Sequence, residues 1–290
     1  MLRLLLHSLR PKQWTKNLLL FAGVIFSQRL FYTSDLIRSI AAFILFCAIS
    51  GGLYLANDIK DLNNDRAHPL KRSRPLASGQ LALFPAIITA VVLIPVSLVF
   101  CFQLSVSFGW VALSYVLLSL CYSFLLKHLV ILDVMVISLG FVLRAVAGAV
   151  VVNVSISSWL LVCTIFLALF LALNKRRHEL VLLGDEAKKH RKNLMEYSPF
   201  LLDLMITMVS ACTLMAYALY TKSDETIQKF GSRNLVFTLP FVIYGIFRYL
   251  YLVHQKGLGG SPEQILLKDK ELIIDILLWI LVTAFFIYLE

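Results

Sequence analysis

Nine stretches of the chain are nearly free of charge and run, to within a few residues, over 17–34, 37–56, 84–103, 106–126, 130–152, 157–174, 200–221, 234–253 and 272–289. None alternates apolar and polar positions with the period of a half-buried strand. A helix needs about 20 apolar residues to cross about 30 Å of hydrocarbon, and continuous apolar runs in lipid must form helices to satisfy their own backbone groups. The pattern therefore predicts an all-α integral membrane protein of nine transmembrane helices, with residues 1–290 forming a single polytopic domain. Three polar connections interrupt it, at about 57–83, 175–199 and 254–271. Each follows an even-numbered span, the second, sixth and eighth, which puts all three on the side of the N-terminus.

Composition agrees with that pattern and sharpens it. Hydrophobic residues make up 59% of the chain and charged residues 15%, with a mean hydropathy of +0.82. A soluble domain, a disordered chain and a secreted disulfide scaffold are excluded on those figures. The net charge of +10 would suggest nucleic acid in a soluble protein, but in a membrane protein it marks cytoplasmic loops. Of the 27 Lys and Arg residues, 21 fall on the N-terminal side and 5 on the other, with Arg144 inside a span. That imbalance predicts a multi-pass protein of the inner (plasma) membrane with its N-terminus and three long loops in the cytoplasm, and no nucleic-acid partner. Homo-oligomerisation stays open. Cys47, Cys101, Cys121, Cys163 and Cys212 all lie in apolar stretches without metal-ligand spacing and are expected to be core thiols. The cationic start, MLRLLLHSLRPKQWTKN, is unlike a cleaved signal peptide.

Chemistry concentrates after the second span, where Asn57-Asp58-Ile59-Lys60-Asp61 runs on to Asp65-Arg66. Asp58, Asp61 and Asp65 are spaced i, i+3, i+7, so a continuing helix places all three carboxylates on one face. Like charges so close call for a cation, and hard oxygens beside a polyphosphate suit magnesium; a solvated acidic loop balancing nearby Lys and Arg is the alternative. Within the fifth span, Arg144 costs about 2.5–3.5 kcal/mol on insertion scales and should face the bundle interior and a partner. Asp133 lies about 16 Å earlier along the same helix, too far to pair, which leaves a substrate phosphate or a carboxylate from another helix. The six histidines sit at loops and helix ends without ligand spacing, and no metal is assigned to them.

The N-D-x-x-D-x-x-x-D motif beginning at Asn57, followed by K-R-S-R-P-L-x-x-G-x-L from Lys71 to Leu81, resembles the UbiA superfamily of intramembrane prenyltransferases. The resemblance implies nine helices around a central cavity and two Asp-rich cytoplasmic loops that hold a prenyl diphosphate through magnesium. The second loop departs from that pattern, because Asn174-Lys175-Arg176-Arg177-His178-Glu179 replaces the expected aspartates. Such cations either attract a second phosphate-bearing substrate or merely cap the sixth span on its positive side. The stretches Arg10 to Asn17, Leu132 to Val134, Gly140 to Gly148 and Gly260 to Asp269, with that basic loop, are similar to the decaprenyl-phosphate phosphoribosyltransferase branch over nearly the whole chain.

What the branch implies is transfer of 5-phosphoribose from phosphoribosyl pyrophosphate to a polyprenyl phosphate, with release of pyrophosphate, toward a lipid-linked arabinose donor for cell-envelope glycans. Asp58, Asp61 and Asp65 would then hold magnesium, with Asp58, Asp61 and Arg144 catalytic. Lys16, Asn17, Asn57, Arg74, Lys175, Arg176 and Glu179 would bind substrate, Glu179 through ribose hydroxyls or a second metal. Two other classes compete: a prenyltransferase acting on an aromatic acceptor, which an acidic second loop would favour, and a lipid carrier, which an internal repeat with paired broken helices would favour.

Overall fold

The computed structural model describes residues 1–67, 71–183, 194, 196–260 and 262–289. Thirteen α-helices occur among the described residues. In chain order they are α1 (Leu2–Ser8), α2 (Phe21–Phe26), α3 (Thr33–Lys60), α4 (Leu62–Ala67), α5 (Leu83–Leu104), α6 (Val106–Phe124) and α7 (Leu132–Val151). There follow α8 (Ser158–Leu183), α9 (Pro199–Lys222), α10 (Asp224–Phe230), α11 (Leu239–His254), α12 (Pro262–Lys268) and α13 (Lys270–Tyr288). No strand forms among these residues, so the all-α expectation stands.

Among the described residues eight segments are long and apolar enough to cross a membrane: α3, α5 to α9, α13, and Asn234–His254, which adds a short 3-10 turn to α11. They match eight of the nine expected spans. The first apolar run, 17–34, is different. It begins as a 3-10 helix over Pro11–Leu20, passes into the six-residue α2, and is followed by Gln28 at a φ of 59°. The cause is a close approach: a Cβ on Gly148 would lie 1.9 Å from the carbonyl oxygen of Leu20, and one on Gly23 only 2.4 Å from that of Gly148. Two glycines let this segment sit directly on the backbone of α7.

The chain forms two compact units, Met1–Lys127 with Leu143–Ser155, and His128–Val142 with Ile156–Glu290. The boundary therefore falls inside α7. In the first unit α3 packs on α5 and α5 on α6, around Leu20, Phe46, Ile49, Phe108, Ala147 and Val151. In the second, α8 packs on α9 and α11 on α13, around Phe170, Leu173, Leu202, Ile206, Tyr249 and Leu272. Outward faces are apolar too, as Phe84, Val91 and Phe100 on α5 illustrate, which suits helices bathed in lipid. Ends are capped locally: Ser198 Oγ accepts from Leu201 N–H at 3.0 Å and Asp269 from Leu272 N–H at 2.9 Å.

Candidate active site

In the first unit the acidic motif does not continue as one helix. α3 ends at Lys60, Asp61 takes a φ of −91° and a ψ of 12°, and α4 restarts at Leu62. The break separates the three carboxylates expected on one face. Asp58 and Asp65 are buried, and both accept from a single nitrogen, Arg74 Nη1, at 3.0 and 2.5 Å. Asp58 is also paired with Arg10. Asp61 turns instead to Lys127, whose Nζ lies 2.8 Å from each of its oxygens. Asn57 is half-buried beside Asp58.

The downstream motif explains how Arg74 is presented. Leu76 and Leu81 are buried against Leu55, Ala86 and Ala90, so the two leucines pin the turn at both ends. Between them Gly79 adopts a φ of +78°, a conformation open to glycine at little cost. Arg74 is thereby fixed above the pinned turn. Arg10 arrives from a strained backbone, with a φ of 54° just before Pro11, and its guanidinium lies 5.1 Å from the centre of the Tyr54 ring. Non-glycine residues rarely adopt this conformation, and a following proline restricts them further.

Deeper in the same unit Arg144 is 5% exposed. Its Nε donates to Asn17 Oδ1 at 2.8 Å and its Nη2 to Tyr115 OH at 2.6 Å, with the guanidinium 4.7 Å from the centre of the Tyr115 ring. Asn17 is fully buried, and its Nδ2 donates to Ser50 Oγ at 3.1 Å. Asn17 thus holds Arg144 rather than presenting itself outward. Lys16, its neighbour, is half-buried.

The basic segment of the second unit is not a loop at its start, because α8 runs on through Lys175, Arg176 and Glu179. Residues 184–193 and 195 of the expected 175–199 loop lie outside the described residues. Arg176 is 3% exposed, with its Nε 2.8 Å from Asp133 Oδ2 and its Nη1 2.6 Å from Glu179 Oε2. Tyr197 OH donates to Asp133 Oδ1 at 2.9 Å and accepts from Ile131 N–H at 2.6 Å. Burial is the main reason that the Tyr197 hydroxyl is pushed up to about 12, with the Asp133 carboxylate adding to it. Arg177 pairs with Asp203, and Lys175 is half-buried. His178 Nδ1 accepts from Gly259 N–H at 3.1 Å, and a Cβ on Gly259 would come within 2.5 Å of the His178 Cβ. The glycines of the 254–271 connection are what let it dock on α8.

So the structure brings Asp58, Asp65 and Arg74 together, sets Asp61 on Lys127, and joins Asn17 to Arg144 and Arg176 to Glu179. Sequence reasoning passed over Arg10, Tyr115, Lys127, Asp133 and Tyr197 as site residues. Asp133 carried a signal, a carboxylate in the first turn of an apolar helix, whereas Tyr197 carried none. Among the described residues no group of three His, Cys, Asp or Glu side chains is poised around one metal position. The donor chemistry nonetheless fits a hard divalent ion, since two buried carboxylates already converge on one cationic nitrogen.

The profile of the UbiA prenyltransferase family matches residues 18–259. The decaprenyl-phosphate phosphoribosyltransferase of Corynebacterium glutamicum is 36% identical over 296 residues, covering 98% of this chain and 87% of its own length. That of Mycolicibacterium smegmatis is 35% identical, covering 95% and 90% respectively. A solved UbiA homologue from Archaeoglobus fulgidus, bound to GPP and Mg2+, superposes with a TM-score of 0.73 at 19% identity, covering 99% of this chain and 100% of its own. At that identity it is the fold that is shared.

Proposed function

The chain belongs to the UbiA prenyltransferase family, and from that premise we propose that it moves 5-phosphoribose from phosphoribosyl pyrophosphate to a polyprenyl phosphate. The observation that carries this reading is similarity over 98% of the chain to a decaprenyl-phosphate phosphoribosyltransferase. The basic start of the second segment supports it, because two anionic substrates demand more cations than one. The product would feed a lipid-linked arabinose donor, and the polar segments would face the cytoplasm from the inner (plasma) membrane.

In this reading an oxygen of the lipid phosphate attacks C1 of the ribose. The bond from C1 to the pyrophosphate oxygen breaks, and its electron pair leaves with pyrophosphate. A phosphate monoester is already anionic at neutral pH, so no general base is needed. Asp58 and Asp65, with Asp61, would hold magnesium, which when bound neutralises the diphosphate and makes it a better leaving group. Arg74, Lys16 and Asn57 bind the diphosphate end of the donor. Arg144, kept in place by Asn17 and Tyr115, clamps a phosphate. Lys175 answers the remaining phosphate charge, Arg176, itself paired with Asp133 and Glu179, holds Glu179 in place, and Glu179 accepts from ribose hydroxyls. The work of these groups is to hold two anions in line against their repulsion.

Purified protein in detergent with magnesium should convert labelled phosphoribosyl pyrophosphate and polyprenyl phosphate into a lipid-extractable phosphoribosyl product. Asp58→Asn or Asp61→Asn should lower that rate at least about 10²-fold without loss of the folded bundle, and a chelator should abolish it in the wild type. If the protein ignores the sugar donor and prenylates an aromatic acid from a prenyl diphosphate, the substrate assignment fails while family membership stands.

A further inference from the structure

The carboxylates of the acidic motif are already matched by cations from the chain itself. Arg74 Nη1 sits between Asp58 and Asp65, Arg10 sits on Asp58, and Lys127 sits on Asp61. The side chains of Asp58 and Asp65 are only 4% and 5% exposed, so two such charges cannot stay side by side without a cation between them. A divalent ion bridging the two carboxylates competes with the guanidinium for Asp58 Oδ1 and Asp65 Oδ2.

We infer that Arg74, with Arg10, is a place-holder for the metal: it occupies the Asp58–Asp65 position in the free protein and is released to the donor's diphosphate when the metal enters. This inference rests on the magnesium reading above. Its consequence is thermodynamic. Metal alone must strip two arginines from buried carboxylates and leave them unpaired, whereas metal arriving with a diphosphate gives each arginine a new anionic partner. Metal and diphosphate are therefore coupled, and by linkage each must favour the other by the same factor. The strained backbone of Arg10 suits a side chain held by its ion pair rather than by local preference. Arg10 becomes a residue that positions the site and recognises the diphosphate, a role outside the acidic motif itself.

The test is Mn2+ binding by purified full-length protein in detergent, read by electron paramagnetic resonance, with and without pyrophosphate. Arg66, exposed on α4 in the same motif, supplies the control: Arg66→Gln removes the same charge without touching the bridge. Chelation of Mn2+ by pyrophosphate in solution is common to every variant and cancels between them. Arg74→Gln, and to a smaller extent Arg10→Gln, should bind Mn2+ alone about tenfold more tightly than wild type or Arg66→Gln. The two variants should also lose most of the gain that pyrophosphate brings. Arg74→Lys, which keeps the charge and covers the case of a poorly folding Arg74→Gln, should stay near wild type in Mn2+ affinity. Equal or weaker Mn2+ binding by both neutral variants, or an undiminished gain from pyrophosphate, would overturn the place-holder role and leave the metal reading intact. No Mn2+ binding by any variant under either condition would overturn the metal reading along with it.

Discussion

At the scale of single residues, Tyr197 does more than its position near a poorly patterned segment suggests. Its hydroxyl accepts from Ile131 N–H and donates to Asp133, which in turn holds Arg176. Ile131 has a φ of 69°, a costly conformation for a β-branched side chain. The tyrosine helps maintain that strain and the placement of Arg176 together. Tyr197→Phe should lower stability by about 1–3 kcal/mol, measured by thermal unfolding in detergent, and Ile131→Gly should restore part of it. The hydroxyl also sets a pH signature. Its value in the folded protein, about 12, lies above the ordinary 10.0. Between those values the unfolded chain has lost the proton and the folded one has kept it, so stability falls as pH rises through that window and is fully present below it. Unfolding curves of Tyr197→Phe should be flatter than those of wild type between pH 10 and 12; identical slopes would remove Tyr197 from the network's energetics.

Elements tell which parts of the fold could be seen in advance. The long spans were legible because an apolar run bounded by charge has only one stable answer in lipid: α5 and α6 end within two residues of the expected limits. The broken start of the chain was not, because hydropathy records what a segment contacts and not its helical pitch. Gly23 and Gly148 are 125 positions apart, and nothing in either neighbourhood announces the other. Their contact yields the prediction at this scale. Gly148→Ala forces a Cβ to within 1.9 Å of the Leu20 carbonyl, so the variant should lose at least about 3 kcal/mol or fail to accumulate. Gly245→Ala meets only side-chain atoms, Asp275 Oδ2 at 3.1 Å and Leu272 Cδ1 at 4.0 Å, and should accumulate normally. Comparable yields of the two in the membrane fraction would show that the close approach carries no weight. The candidate site was legible in the same uneven way. Spacing found Asp58, Asp61 and Asp65, but the assumption of a continuous helix hid the turn at Asp61. Basic composition found Arg176, but not that Asp133, 43 residues earlier, already neutralises it.

For the molecule as a whole, the distribution of charge fixes the expected orientation. On the nine-span reading 21 cations fall on one side and 5 on the other, so a cysteine introduced at Arg66 in a cysteine-free background should be shielded from impermeant thiol reagents in intact cells. One introduced at Lys229 should react; the reverse pattern would invert the topology. The same scale gives the Arg144 bond a meaning for biogenesis. Asn17 is 127 positions upstream of Arg144 and Tyr115 is 29 upstream, so both partners have left the ribosome before α7 emerges. A lone arginine in that helix costs about 2.5–3.5 kcal/mol to insert, and partners already waiting in the bilayer lower that cost. Replacing Asn17 and Tyr115 together with Leu and Phe should therefore appear first as failed translocation of the segment after α7, read by a glycosylation tag near residue 155, before any question of turnover arises. Asn17 of the N-terminal segment and Tyr115 of α6 would thus serve as the reception point for a helix made later, and the order of synthesis becomes part of how this chain enters its membrane.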